Sequence, residues 1–213
     1  TMNITTFPVR KLAALLAALG VAGGALAADN LVVNGDFESP AALPNGMYQC
    51  FNNTTLQAWT STGGHGSCYI QQNTDLWAGA FSGSKLLYIN DYGDAGTSIS
   101  QMLTLSAGTT YALHFEVSGL SGRTGSVGLM VDFGSSHHAL TAASGGGWTG
   151  FNFTYAPVIG GTTLLKFTAG SAPVNIDAVS VAALPPAPVP EPVSWALMLA
   201  GLGALGLVAR RRA

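Results

Sequence analysis

The sequence predicts an all-β fold, a two-sheet sandwich of jelly-roll type, carried between apolar segments at the two chain ends. Three observations predict it. Apolar residues recur with period two over several short stretches, and Gly-rich turn signals separate those stretches. Between the two ends no stretch shows a convincing 3.6-residue period.

The alternation is clearest in Tyr111-Ala112-Leu113-His114-Phe115-Glu116-Val117, where Tyr, Leu, Phe and Val share one face. Val127, Leu129, Val131 and Phe133 repeat it, as do Phe151, Phe153 and Tyr155. Residues 85–90, 98–105, 163–168 and 175–181 supply further strands. Turns are expected at 106–108, 119–125, 145–147 and 160–161, where Gly and Ser cluster.

The ends carry targeting chemistry. Arg10 and Lys11 precede an apolar run over 12–26, and Ala25-Leu26-Ala27 supplies a small-residue cleavage pattern. That run is shorter than the roughly 20 residues of a spanning helix, so residues 1–27 are expected to be a cleavable signal peptide. Thr1, ahead of Met2, is set aside from the fold reasoning. At the other end, residues 185–192 form a Pro-rich spacer that closes on Pro190-Glu191-Pro192. Residues 193–209 hold no charge, and Arg210, Arg211 and Arg212 follow. This reads as a C-terminal transmembrane helix with a cytoplasmic basic tail, residues 193–213, which leaves the preceding domain outside.

Val189-Pro190-Glu191-Pro192, the apolar segment and the Arg run together resemble the PEP-CTERM sorting signal. That resemblance implies processing by an exosortase, a membrane-embedded cysteine transpeptidase of Gram-negative bacteria that also make exopolysaccharide. It implies an inner-membrane-anchored precursor, then release to the cell surface or the extracellular matrix of a biofilm. An ordinary stop-transfer anchor is the alternative.

Residues 28–184 remain as one domain, long enough for a core of its own. It keeps Lys85, Arg123 and Lys166 against nine acids, a net charge of −6. Such a balance has no basic footprint for nucleic acid. Aromatic and β-branched residues supply enough apolar surface to argue against disorder. Cys50 and Cys68 are the only cysteines, and export to an oxidising compartment predicts that they pair.

The order of landmarks suggests a fold group. Asn30-Leu-Val-Val-Asn-Gly-Asp-Phe-Glu38 opens the domain, then come Trp59, Gly83-Ser-Lys-Leu-Leu-Tyr-Ile89, residues 98–105, Gly108-Thr-Thr-Tyr-Ala-Leu-His-Phe115, Trp148 and Ile176-Asp-Ala-Val179. This succession is similar to the galactose-binding-like jelly-roll group, which includes many carbohydrate-binding modules. The resemblance implies a structural calcium ion between the first and last strands, held by Glu38 and Asp177. Asp36 joins them only if its segment is extended, and backbone carbonyls would complete the shell. Without the ion the two acids are solvated groups near strand ends.

For a ligand, Trp77 and Tyr88-Ile89-Asn90-Asp91-Tyr92 combine aromatic planes with polar neighbours, the mixture that a shallow sugar site needs. Trp77 and Tyr92 are equally compatible with core packing, whereas Trp59 and Trp148 are assigned to the core. His137 and His138 are adjacent, so on a strand they face opposite sides and do not readily share a metal. No Gly-x-Ser-x-Gly elbow or His-Glu-x-x-His motif occurs. Glu38, Glu116 or several Asp could furnish the two carboxylates of a glycosidase, but nothing marks a pair. The expectation is therefore a non-enzyme: an exported, exosortase-sorted surface protein whose jelly roll binds polysaccharide. A purely structural envelope or biofilm protein is the alternative, with a glycan hydrolase behind it.

Overall fold

The computed structural model describes residues 29–39, 42–43, 48–63, 66–70, 79–89, 95–186, 199–202 and 210–211. The signal segment, Trp77, Asn90, Asp91, Tyr92, Pro190-Glu191-Pro192 and Arg212 lie outside the described residues. Residues 199–202 and 210–211 are helical and exposed. Among the described residues no helix is long and apolar enough to cross a membrane.

The described strands are β1 (Tyr48–Phe51), β2 (Thr54–Leu56), β3 (Trp59–Thr62), β4 (Ser67–Ile70), β5 (Leu86–Ile89), β6 (Ser98–Leu105), β7 (Tyr111–Ser118), β8 (Ser126–Phe133), β9 (Ser136–Ala143), β10 (Thr149–Tyr155), β11 (Gly161–Ala169) and β12 (Val174–Ala183). They pair into two six-stranded sheets, β1-β4-β5-β12-β7-β10 (sheet A) and β2-β3-β6-β11-β8-β9 (sheet B). Every pairing is antiparallel, as the expected sandwich requires.

Period two decides what each sheet buries. Leu113, Phe115 and Val117 of β7 face Val131 and Phe133 of β8 and Leu165 and Phe167 of β11 in one core. Rings form a continuous path through it: Phe153 to Phe115, Phe115 to Phe167, Phe167 to Trp59, Trp59 to Phe37, Phe37 to Tyr69 and Tyr69 to Phe51. The Phe115–Phe167 pair, edge to face with centroids 5.0 Å apart, joins sheet A to sheet B. Trp59 is fully buried, as assigned, and its indole N–H donates to the Asn34 carbonyl at 3.0 Å.

One expectation about the opening segment is corrected. Residues 33–36 form a turn, not a first strand, and Asn34 and Phe37 adopt φ of 53° and 55°. Tertiary contacts hold this conformation against its local cost. Phe37 is driven into the ring path between Trp59 and Tyr69, and Gly35 lies so close to the Val179 carbonyl that no Cβ would fit. Val179 N donates in return to Gly35 O at 2.8 Å. The turn also separates Asp36 from Glu38. Asp36 is exposed, and its Oδ1 accepts a long bond, 3.4 Å, from the backbone of Glu38.

Cys50 and Cys68 are bonded as expected and sit directly opposite each other on β1 and β4. Closing a loop of this length restricts the unfolded chain by about 3 kcal/mol. Replacing both cysteines by serine should therefore lower unfolding free energy by about 3 kcal/mol in a denaturant titration. An unchanged midpoint would show that the β1–β4 edge holds without the bond.

Candidate functional site

The strands that fill the core present a second set of side chains on the outer face of sheet A. On β7 these are His114, Glu116 and Ser118, and on β12 Asn175, Asp177 and Ser180. Registration aligns them: Asn175 is opposite Ser118, Asp177 opposite Glu116 and Ser180 opposite His114. A bulge between Asp177 and Ser180 allows this, with Ala178 at φ 52°.

Asp177 is fully buried, yet outside the apolar core. Its Oδ2 accepts from Phe81 N at 2.8 Å and Ser82 N at 3.0 Å, and its Oδ1 from Ala178 N at 2.6 Å. Burial pushes the carboxyl up to about 6; the three backbone donors oppose that shift, and the charge of Glu38 adds to it. Glu38 grips the same connection two residues further on. Its Oε1 accepts from Ser84 N and Lys85 N, both at 2.7 Å, and its Oε2 from Ser84 Oγ at 2.8 Å and Lys85 Nζ at 3.3 Å. Burial acts to raise the Glu38 carboxyl, but these donors outweigh it and hold the group below the usual carboxylate range.

The structure thus brings Glu38 and Asp177 to one loop and leaves Asp36 aside. Of the two carboxylates, Asp177 is raised chiefly by its burial and only secondarily by the charge of Glu38. Lys85 supplies positive charge to Glu38, while the bonds to Asp177 come from backbone N–H groups. No group of three or more His, Cys, Asp and Glu side chains occurs among the described residues, so carbonyl oxygens would have to complete a shell.

Held by Asp177, the segment 79–82 lies over the sheet. Phe81 is 49% exposed, with its ring edge-on to Trp148 at 6.0 Å. Trp148 is half-buried and donates from its indole to Gly79 O at 3.0 Å. It packs with Cys68, Ile70, Leu86 and Tyr88 in a small cluster outside the main core. Tyr88 is therefore buried in β5 as a floor rather than displayed as a platform.

From Asp177 the register leads to Glu116, directly opposite on β7. Glu116 keeps a side chain one-tenth exposed, lodged over Gly150, where a Cβ would press on its carboxylate. His114 Nε2 is 3.6 Å from Glu116 Oε1, and His114 Nδ1–H donates to Asn152 Oδ1 at 3.0 Å. A carboxylate, an imidazole and an exposed amide thus follow one another in register across β7 and β10, beginning opposite Asp177, which binds the Phe81 backbone. Sequence reasoning missed Phe81, His114, Glu116 and Asn152 as a group. The signal was present in β7, whose non-core positions are the polar ones.

The paired histidines part as expected. His137 pairs with Asp132 at 2.6 Å on sheet B's outer face, and His138 turns inward to stack on Phe153. A groove of about 570 Å³ on sheet B is bordered by Val33, Ala58, Thr60 and Met102. Its polar floor, Gln101, already bonds both backbone groups of Val33, so it offers little to a ligand.

A two-sheet β-sandwich followed by a PEP-CTERM protein-sorting motif, matched at residues 188–212, defines an exported jelly-roll protein with a membrane-anchored precursor. Residues 28–161 match the HpiC1-like family, described as HpiC1 cyclase, and the chain belongs to that family. No curated protein matches the chain. Among solved structures it is similar to the enzymatically active domain of bacteriophage CBA120 tailspike protein 4, with a TM-score of 0.50 and 13% identity over 73% of this chain and 21% of that one. It is also similar to the CBM22-1 xylan-binding domain of Paenibacillus barcinonensis Xyn10C, with a TM-score of 0.48 and 17% identity over 76% and 99% of the two chains. TmCBM61, solved with β-1,4-galactotriose, gives a TM-score of 0.45 and 18% identity over 74% and 100%. At these identities the likeness concerns the fold.

The Asp177 carboxyl titrates higher folded, at about 6, than its ordinary value of 3.8, so the folded state holds that proton more tightly. In chelator its stabilising contribution is complete below about pH 4 and disappears as pH rises through 6. Melting temperature should fall across that window, and Asp177→Asn should flatten the fall. A fall of equal size in the variant would place the titration elsewhere.

Proposed function

We propose that the domain binds glycan, without catalysis, on the outer face of sheet A, and that the exosortase-processed chain serves at the cell surface or in the extracellular matrix. The observation that carries this reading is Phe81, a half-exposed ring whose backbone N–H is held by Asp177, the residue opposite Glu116, with His114 and Asn152 further along the same register. A ring held in place stacks on the C–H face of a sugar at little entropic cost, and the polar groups match hydroxyls. Trp77, Asn90, Asp91 and Tyr92, expected from sequence to contact ligand, belong to the segments that precede Phe81 and follow β5. Glycan-array binding by the full chain in detergent should weaken roughly tenfold in Phe81→Ala and in Glu116→Gln, with melting temperature unchanged. Undiminished binding in both variants would move the site off this face.

Calcium between Glu38 and Asp177 belongs to the same reading as a structural ion. Its support is that two carboxylates from the opposite ends of the domain's sequence, Asp177 and Glu38, hold the same 81–85 connection. Added calcium should raise the melting temperature more at pH 7.5 than at pH 5, where protonated Asp177 binds it poorly. Equal melting curves with calcium and with chelator at both pH values would remove the ion from the account.

The family description favours a second reading, a cyclase, in which the His114–Glu116 pair would hold the transferable proton. Mass analysis of a retained oligosaccharide after long incubation separates the two. Recovery of unaltered ligand supports binding, and a new product supports catalysis.

A further inference from the structure

The end of the sandwich from which the chain leaves toward its sorting motif carries the most exposed large aliphatic side chains among the described residues. Val158 is 92% exposed and Ile159 84%, consecutive in the turn between β10 and β11. Isolated exposed aliphatics are ordinary on a protein surface. This pair has company. The preceding Pro157 accepts from Gly108 N at 3.0 Å, and two residues beyond Gly108 the Thr110 carbonyl accepts from Leu184 N at 2.8 Å. Leu184, 41% exposed, is the residue just past β12, so tip and chain exit flank one short segment.

The segments at that tip and exit also lack charge, and the β8–β9 hairpin at the same end holds its one carboxylate, Asp132, paired with His137. Residues 105–111, 155–163 and 182–186 contain no Asp, Glu, Lys or Arg, in a domain of net charge −6. The nearest acid along the adjoining opening segment is Asp29, two residues before Leu31 bonds to Val181. Eight residues, 185–192, separate Leu184 from the apolar stretch of the sorting motif. They can span at most roughly 29 Å. A precursor anchored by that stretch therefore keeps this end close to the bilayer.

We propose that this end, with Val158 and Ile159 at its tip, rests in the interface of the lipid bilayer that anchors the precursor. Two aliphatic side chains at a turn, with no carboxylate in their own segment to desolvate, can enter the headgroup boundary at little cost. The acidic remainder of the domain is held off anionic lipid by its charge. The sandwich would then stand end-on, with the outer face of sheet A lateral to the membrane. This placement does not depend on the glycan reading.

The test uses the full chain in vesicles of phosphatidylethanolamine and phosphatidylglycerol, 3:1. The native cysteines are bonded to each other, so Ile159→Cys offers one thiol for an environment-sensitive fluorophore, and Ala95→Cys, ahead of β6 at the opposite end, serves as the control. Nitroxide-labelled lipid should quench the probe at 159 several-fold more than the probe at 95, with a blue-shifted emission. Adding Val158→Asp should remove most of that difference while leaving the melting temperature unaltered. Equal quenching at the two positions would overturn the proposal. So would a blue shift at 159 that is insensitive to nitroxide lipid and fades on dilution, since that outcome would assign the tip to contact between two copies.

Discussion

A buried carboxylate outside the hydrophobic core organises this domain. Asp177 sits on β12, which is paired on both sides within sheet A, and its oxygens are bound by the backbone of Phe81, Ser82 and Ala178. Glu38, from the other end of the domain's sequence, binds the backbone of Ser84 and Lys85 in the same connection. Two acids thus tie the start, the middle and the end of the chain together. Removing the carboxylate of Asp177 would leave two part-buried N–H groups of that connection without their acceptor, a loss below the roughly 1–3 kcal/mol that a fully buried donor costs. The position of the Phe81 ring depends on those bonds and on Trp148, which meets the ring edge-on and bonds Gly79 O.

Much of the sandwich was legible because its long strands follow one rule. β6, β7, β8, β10, β11 and β12 alternate strongly apolar and smaller or polar residues, and each is bounded by Gly, Pro or Ser. β9 was missed because its sequence, Ser-His-His-Ala-Leu-Thr-Ala-Ala, puts one large apolar side chain in eight positions. As an edge strand it needs little more: it buries Ala142 and half-buries Leu140 while β8 supplies the apolar partners. β1 to β4 are three or four residues long, too short for a period to register. In the opening segment the same rule misled. Val32 and Phe37 are both buried, but a turn at Asn34 and Gly35 brings them there rather than an extended strand.

The site was legible in part. Asp177 and Glu38 were legible only through the resemblance of the opening Asn34-Gly35-Asp36-Phe37-Glu38 and closing Ile176-Asp177-Ala178-Val179 segments to the galactose-binding-like group. Their meeting on the 81–85 connection rests on a register between distant strands, which no local pattern encodes. The same holds for His114 and Asn152, 38 residues apart in sequence and hydrogen-bonded across β7 and β10. Phe81 lies in a Gly-Ser stretch with no periodicity to single it out. Its role becomes visible only when the loop is seen bound down by Asp177.

Fold and sorting motif together set an orientation as well as a chemistry. The chain leaves the sandwich at one end, and the candidate glycan patch lies on a side, so anchoring and recognition draw on different surfaces. The central claim is that recognition belongs to the outer face of sheet A. Hydrogen–deuterium exchange of the full chain with and without a bound polysaccharide tests it directly. The account predicts added protection in residues 79–89, 112–118 and 149–155, with β3, β6 and the sheet B groove unchanged. Protection centred on β3 and β6, or none at all under conditions of retention, would contradict it.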